Sequence, residues 1–297
     1  EEVLVTTSSC IGMSQALLGL LNPGDEVIVF GPYFADYRNQ IELAYGKAVE
    51  VVTSEEQLYR PQEAELRAAI NEHTKAMIVN SPSNPTGAAY DRTTLEMLAR
   101  IAQEFDLLVL ADEIYTRYLY DGVFIPMRTL PGMADRTVTL NSFSKNFLMT
   151  GWRVGYIIAD PALIHVFQHV NDALTYAAPS ISQRAAIKAL ELRDDIAHKY
   201  ITRYRDRVMK VADAVADISY LTVLKPRGTF YVFPGIAKTG IDDRAFCKLL
   251  LEEAHIMVSP GCVFGKAGEG HFRMACTTSD EKIADAMQRL KKLESHF

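Results

Sequence analysis

Asn141-Ser142-Phe143-Ser144-Lys145, running on through Thr150-Gly151-Trp152-Arg153-Val154-Gly155, is the stretch on which the reading of this chain turns. The run Thr137–Asn141 reads as a strand, and Val154–Ala159 reads as the next one. Lys145 therefore stands just past a strand end, between Ser144 and an aromatic-rich turn. Lysines on a surface usually have polar neighbours, whereas Phe143, Phe147 and Leu148 surround this one. Apolar surroundings disfavour the charged ammonium and lower its pKa, which makes the neutral amine available as a nucleophile toward a carbonyl. A lysine that only caps a loop is the alternative.

Five more strand-like runs precede this pair: Val3–Thr6, Glu26–Phe30, Ala48–Val52, Ala76–Asn80 and Leu107–Ala111. Helical patterns lie between them at Gly12–Leu21, Gln62–Ile70 and Thr93–Glu104, and Asn22-Pro23-Gly24-Asp25 is a turn from helix to strand. Such alternation predicts an α/β fold: a mainly parallel seven-stranded sheet with helices on both faces. The rhythm changes after about Asp160. A helical region extends from Pro161 to about Val215, with a break near Ala178-Pro179. Short strands at Leu221–Leu224 and Thr229–Phe233 follow, then a helix over Asp242–Ala254. Strands near Ile256–Val258 and His271–Ala275 and a helix over Ser279–Leu293 complete the chain. This part is expected to be a smaller C-terminal α+β domain. The expected division is 1–195, a large domain with its connecting helix, and 196–297, the small one.

The bulk composition narrows the function. The chain has 297 residues, 48% hydrophobic and 23% charged, as ordinary globular proteins do. A net charge of −6 gives no general attraction to nucleic acid or an anionic membrane. The local basic run Arg203, Arg205, Arg207, Lys210 reads as a solvated helix face. No apolar run approaches the roughly 18 residues of a membrane span, and no secretory leader is read at the start. Cys10, Cys247, Cys262 and Cys276 form no CxxC pair, which suits a reduced, cytoplasmic setting. The chain opens on Glu1-Glu2 and runs straight into a strand without an initiator Met, as a processed chain or a fragment would.

Further elements carry chemistry. Asp112-Glu113-Ile114-Tyr115 follows the apolar run Leu107–Ala111, and ligands of open α/β sheets bind beyond the carboxyl ends of strands. A carboxylate there could hold a proton on a pyridine nitrogen and make the ring an electron sink; a helix N-cap is the plainer role. Asn80-Ser81-Pro82-Ser83-Asn84-Pro85-Thr86-Gly87 also follows a strand, and its prolines and glycine stiffen the loop that aims Asn84. Thr6-Thr7-Ser8-Ser9-Cys10 lies between the first strand and the first helix. Small residues at a helix N-terminus let backbone N–H groups approach a phosphate.

Together these residues resemble the class I/II aminotransferases, pyridoxal-phosphate (PLP) enzymes of fold type I related to aspartate aminotransferase. Ser142-Phe143-Ser144-Lys145, with Arg153 eight residues on in Gly151-Trp152-Arg153-Val154-Gly155, looks like that family's cofactor-lysine signature. Asn84-Pro85-Thr86-Gly87 and Asp112-x-x-Tyr115 occur in the family's order. The likeness extends through Asn22–Glu26, Gly228–Pro234, Pro260-Gly261, Phe264-Gly265 and Gly268–Arg273, over essentially the whole chain. The resemblance implies a Schiff base between PLP and Lys145, with Asp112 paired to the pyridinium nitrogen and Tyr115 and Asn84 bonded to the phenolic oxygen. It implies that Ser142, Arg153 and the backbone at Ser9 and Cys10 hold the phosphate, that Phe34 stacks on the ring, and that Arg273 and Asn84 take the substrate carboxylate. It also implies a homodimer. Ser8 departs from the family by standing where glycine is usual. Members also carry a further segment ahead of this point, which supplies part of the small domain and a tyrosine reaching the partner's phosphate.

The expected activity is transfer of an amino group from an L-amino acid to a 2-oxo acid. A carbon–sulfur β-lyase on the same fold, or an aminotransferase-like effector domain of a transcription regulator, are the alternatives. His165 and His169 have metal-ligand spacing on a helix but no third ligand nearby, so no metal site is expected. Gly265-Lys266-Ala267-Gly268-Glu269-Gly270 reads as a flexible loop, and Cys10 as a small residue of the phosphate cup rather than a nucleophile. Tyr33, Phe230 and Tyr231 suggest an apolar wall; the amino donor itself stays open.

Overall fold

Seven of the apolar and β-branched runs become a single sheet in the computed structural model, which describes residues 2–297. Its strands are β1 (Val3–Thr6), β2 (Glu26–Gly31), β3 (Lys47–Val52), β4 (Thr74–Asn80), β5 (Leu108–Asp112), β6 (Thr137–Ser142) and β7 (Gly155–Ile158). They lie in the order β1-β7-β6-β5-β4-β2-β3. Strands β3, β2, β4, β5 and β6 pair in parallel, and β7 runs antiparallel to both β6 and β1. The exception has a local cause. A parallel return needs a crossover, usually a helix, but only the short α5 (Phe143–Asn146) and a single 3-10 turn lie between β6 and β7.

Helices cover both faces. On one side α1 (Ser9–Leu20), α2 (Asp36–Leu43) and α6 (Pro161–Leu174) bury Met13, Leu17, Tyr37, Ile41 and Phe167 against Val27, Val29, Ile78 and Leu110. On the other, α3 (Glu63–Ala69) and α4 (Arg92–Glu104) bury Leu66, Leu98 and Ile101 against Ile28, Met77, Val79 and Val109. Neighbours such as Val27 and Ile28 point to opposite cores, because successive strand side chains alternate. Both faces are covered, so the middle of the central strands, Val27–Val29 on β2 and Ala76–Val79 on β4, is continuously apolar. The entry to α4 is fixed by Asp91, whose carboxylate accepts the Thr94 N–H at 2.9 Å.

The helical region after Asp160 is broken as expected near Ala178-Pro179, and then broken again. It contains α6, α7 (Ser180–Glu191), α8 (Arg193–Ile196), a π-helical turn over Ala197–Ile201, and α9 (Thr202–Ala216). A three-stranded antiparallel sheet follows, in the order β8 (Tyr231–Val232), β10 (Phe272–Ala275), β9 (Ser259–Pro260). It packs with α9, α10 (Asp243–Glu253) and α11 (Asp280–Lys292) around Val208, Phe246, Leu250 and Phe272. Two expected strands differ. Leu221–Leu224 makes only an isolated bridge, Thr222 to Gly235, and the edge strand lies at Ser259–Pro260 rather than Ile256–Val258. Apolar content drew both readings, but Ile256 and Val258 are anchored by packing into the core instead of by a ladder. On the basic helix α9, Arg203 and Arg207 pair with Asp280 at the start of α11. No helix among the described residues is long and apolar enough to cross a membrane.

Strands β4, β5 and β6 end side by side, with Asn80 opposite Asp112 and Asp112 opposite Leu140. Gly155 closes the other flank, opposite Ser142 on β6 and Thr6 on β1. A Cβ there would lie 2.6 Å from the Ser9 nitrogen, 2.7 Å from the Ser8 carbonyl carbon and 2.9 Å from the Asn141 oxygen, all backbone atoms. Only glycine lets the start of α1 rest this close to the sheet. Gly155→Ala should cost about 1–3 kcal/mol of stability through overpacking, and should weaken cofactor binding because the shift falls on Ser8 and Ser9. Urea denaturation and cofactor titration check it; wild-type values in both would show that α1 can move away freely.

Candidate active site

A cavity of about 180 Å³ opens beyond these strand ends. Ser9, Cys10, Phe34, Asn84, Asp112, Tyr115, Lys145 and Arg153, scattered over nearly half of the sequence, all line it. An adjoining chamber shares Ser144, Lys145, Thr150 and Tyr231 with it, and Arg273 forms part of that second wall. Lys145 thus sits where two spaces meet.

One end is built for an anion. The α1 helix begins at Ser9, and the first N–H groups of a helix have no partner within it. The Ser8 hydroxyl accepts from the Ile11 N–H at 3.2 Å, leaving the Ser9 and Cys10 N–H groups at the cavity end of the helix dipole. The departure from glycine at Ser8 is accommodated: with φ 165° and ψ 167° its backbone is extended, a conformation open to any residue, and its side chain serves as the cap. Arg153 adds a cation. Its φ of 51° is left-handed, uncommon away from glycine, and its Nη1 donates to the Thr150 carbonyl at 2.8 Å. Ser142 does not line the cavity: it is buried, and its hydroxyl accepts the Ser144 N–H at 2.9 Å to start α5. Ser144 is the serine on the wall.

At the middle stand Asp112 and Lys145. Asp112 faces the cavity from deep in the fold, and this depth pushes its pKa up to about 6 against the hydrogen bond from Tyr37 and the charge of Lys145. It caps no helix; a long contact of 3.4 Å from the Ile114 N–H reaches its Oδ1. Burial, then the charges of Arg273 and Arg153, hold the Lys145 amine below the usual lysine range, with Asp112 opposing. The Lys145 Nζ lies 5.6 Å from the Phe230 ring centroid. Tyr115 is buried, its hydroxyl 3.2 Å from that of Tyr231. Loss of its proton is opposed first by burial and then by Tyr231, so it remains a neutral phenol.

In the second chamber the Arg273 guanidinium carbon lies 4.5 Å from the Tyr231 ring centroid and 4.8 Å from that of Phe264. Arg273 Nη1 donates to Asn84 Oδ1 at 2.8 Å and Nη2 to Ser259 Oγ at 3.3 Å, while Nε has no partner among the described residues. Such a planar fork suits a carboxylate. Phe230 and Tyr231 line this chamber with Tyr118 and Tyr204. Tyr33 does not: its N–H donates to the Phe264 carbonyl at 2.9 Å, and its ring lies against Gly265. The Gly265–Gly270 stretch is tied down at one end, since Glu50 accepts the N–H groups of Lys266 and Ala267 at 3.0 and 2.9 Å.

Several lining residues were given no site role in the sequence reading, among them Met13, Tyr37, Gln40 and Ser144. Tyr37 and Gln40 follow Phe34 at intervals of three, one face of a helix. That spacing was the available signal, but α2 is short and polar and does not stand out as a helix. His169 Nδ1 lies 2.8 Å from the His165 carbonyl oxygen, so that pair is engaged locally on α6.

An anion cup, a carboxylate for a ring nitrogen, an aromatic face and an amine of lowered pKa suit PLP, and on this sheet they define a fold type I PLP enzyme. The aminotransferase class I and II family model matches residues 1–290, and the chain belongs to that family. It is 39% identical over 297 residues to an aspartate aminotransferase of Pyrococcus abyssi, covering 99% of this chain and 76% of that protein. Aromatic-amino-acid aminotransferase 2 of Thermococcus litoralis is 36% identical, over 98% of this chain and 76% of its own length. The crystal structure of an aromatic aminotransferase from Pyrococcus horikoshii superimposes with a TM-score of 0.91 at 36% identity, covering 98% of this chain and 79% of that one. The activity is PLP-dependent transamination between an amino acid and a 2-oxo acid.

The lowered amine pKa has a direct consequence. In cofactor-free protein, a neutral acylating reagent should label Lys145 half-maximally at a lower pH than an ordinary exposed lysine, because its uncharged form persists further down the scale. Peptide mapping across a pH series measures this. A Lys145 curve coincident with those of surface lysines would contradict the site's electrostatics.

Proposed function

We propose that Lys145 is the lysine that carries PLP and moves the substrate proton, and that the donor is an L-amino acid held through its α-carboxylate by Arg273. The observation that supports this best is the position of Lys145 between an anion cup and a carboxylate fork, with Asp112 on the same cavity. Bound PLP supplies an electron sink for the substrate Cα bond that breaks. The residues divide the remaining work. The Ser9 and Cys10 N–H groups and Arg153 bind the phosphate, with Ser142 supporting them by fixing the start of α5. Phe34 covers one face of the ring. Tyr115 and Asn84 donate to the phenolic oxygen. Asp112 holds the proton on the ring nitrogen, for which a carboxylate set away from water is strong. Lys145 Nζ would be the base that takes the proton from the substrate Cα. Arg273 orients the substrate so that this Cα–H faces Lys145.

The chain is read as a PLP-binding domain over 1–195 and a small domain over 196–297, the second supported by the separate core around the three-stranded sheet. A homodimer is supported by the apolar side chains exposed on and beside α6 and α7: Leu174, Tyr176, Ile181, Ile187 and Leu190. A cytoplasmic setting fits the unpaired cysteines. Similar proteins named for aspartate and for aromatic amino acids leave the donor's side chain open.

Borohydride trapping of PLP on the protein, followed by peptide mapping, should place the cofactor on Lys145, and Lys145→Ala should lose both the trapped adduct and turnover. Trapping on another lysine, or visible cofactor absorbance unchanged in the variant, would remove Lys145 from its role. Arg273→Lys keeps the charge but loses the two-pronged grip. It should raise the half-saturating donor concentration at least about tenfold, the equivalent of one charge-assisted hydrogen bond, while cofactor absorbance stays intact. Cofactor loss with unchanged donor saturation would put Arg273 elsewhere.

A further inference from the structure

We infer that Tyr37 is a positioning residue for the cofactor-facing carboxylate: its phenol hydroxyl donates to Asp112 Oδ2, which leaves Oδ1 as the oxygen turned to the ring nitrogen. The inference rests on the reading of Asp112 given above. Tyr37 is 2% exposed and belongs to the buried core that also contains Met13, Leu17 and Ile41, so its ring has little freedom. Its hydroxyl donates to the carboxylate, while among the described residues the other hydrogen bond to Asp112's side chain is the 3.4 Å contact from the Ile114 N–H.

The placement of α2 strengthens the argument. Phe34, just ahead of the helix, meets the Tyr37 ring edge-on at 5.5 Å between centroids. One turn further, Gln40 Nε2 donates to the Cys10 carbonyl at 2.8 Å and the Ser14 hydroxyl at 3.2 Å, bracing the start of α1. A single helical face therefore touches the ring-stacking aromatic, the carboxylate and the anion cup.

A phenol donor stabilises the ionised carboxylate selectively. Lys145 is the cation that faces Asp112, from α5. The thiol of Cys10 on α1 is raised above its usual value by partial desolvation and then by Asp36, and Tyr115 past β5 is held protonated by burial. Glu113, just past the end of β5, is pushed up to about 7 by burial and accepts the Met127 N–H at 2.9 Å. Without the hydroxyl, the carboxylate should take up its proton at a higher pH. A neutral acid holds a pyridinium poorly, so cofactor affinity should begin to fall at a higher pH as well.

The test measures PLP dissociation from the holoprotein by equilibrium dialysis between pH 5.5 and 8.5, in wild type, Tyr37→Phe, Asp112→Asn and the double variant. In Tyr37→Phe the acid limb of the affinity profile should move up by about one pH unit, the size expected of one hydrogen bond to a charged group. The thermal midpoint should change little, because the ring remains. Asp112→Asn should abolish the limb, and adding Tyr37→Phe to it should then change nothing further. A Tyr37→Phe limb at the wild-type pH, with Asp112→Asn abolishing it, overturns the role of Tyr37 alone. A limb that survives Asp112→Asn overturns the reading of Asp112 on which this one stands. Equal weakening by Tyr37→Phe at every pH, in both backgrounds, marks Tyr37 as packing only and also overturns the proposal.

Discussion

The carboxylate of Asp112 lies deep in the protein at the end of a central strand, and the cost of keeping a charge there organises what surrounds it. Taking a carboxylate out of water is unfavourable unless hydrogen bonds and opposite charge compensate. Here Tyr37 supplies the hydrogen bond and Lys145 the charge, and the balance still leaves the carboxyl with a pKa of about 6. A pyridinium nitrogen would complete the compensation. The same logic applies from the other side: the Lys145 amine is disfavoured as an ammonium by burial and by Arg273 and Arg153. Lys145 is thereby drawn toward the neutral amine that can take a proton or form a bond near neutral pH, while Asp112 depends on Tyr37 and an opposite charge to stay ionised.

Such poise needs rigidity, and the fold provides it with backbone-seeking amides beyond the strand ends. Asn80 Nδ2 donates to the Asp112 carbonyl at 2.9 Å, and Asn141 Nδ2 to the Glu113 carbonyl at 2.9 Å. Asn146 Nδ2 reaches Thr116 Oγ1 at 2.9 Å. These side chains prolong the pairing of β4, β5 and β6 past the point where the ladder stops, so the loops bearing Asn84, Tyr115 and Lys145 leave the sheet in fixed directions. Packing at Gly155 does the same for α1. The antiparallel return of β7 belongs to this scheme: the turn between β6 and β7 has no crossover helix, and it places Lys145 and Arg153 on one short connection.

Much of the fold was legible because period and composition agreed. Runs such as Val27–Val29 and Ala76–Val79 are buried on both faces and could hardly be anything but interior parallel strands. Where the reading slipped, local preference and tertiary packing disagreed. Leu221 and Ile256 carry strand-like side chains but serve as core anchors without ladder partners. The helix α2 was missed because its exposed side is polar and its inward residues, Tyr37, Gln40 and Ile41, are too few to show a period. Tyr33 suggested part of an apolar wall, yet its neighbour Phe34 lines the cavity and Tyr33 does not.

The sequence by itself determined the class of chemistry. A lysine flanked by aromatic residues, an Asp-x-x-Tyr after a strand and an arginine near the end each sit in a local context that physical chemistry can read, and their order specifies a family. What only the tertiary structure decided is which atoms meet. Arg273 reaches Asn84 across 189 positions, Tyr37 reaches Asp112 across 75, and Ser142 turns inward while Ser144 faces the cavity. None of these follows from spacing along the chain, because each depends on how two separately packed elements close on one another. A residue's chemical capacity is local; its partner is a property of the packed whole.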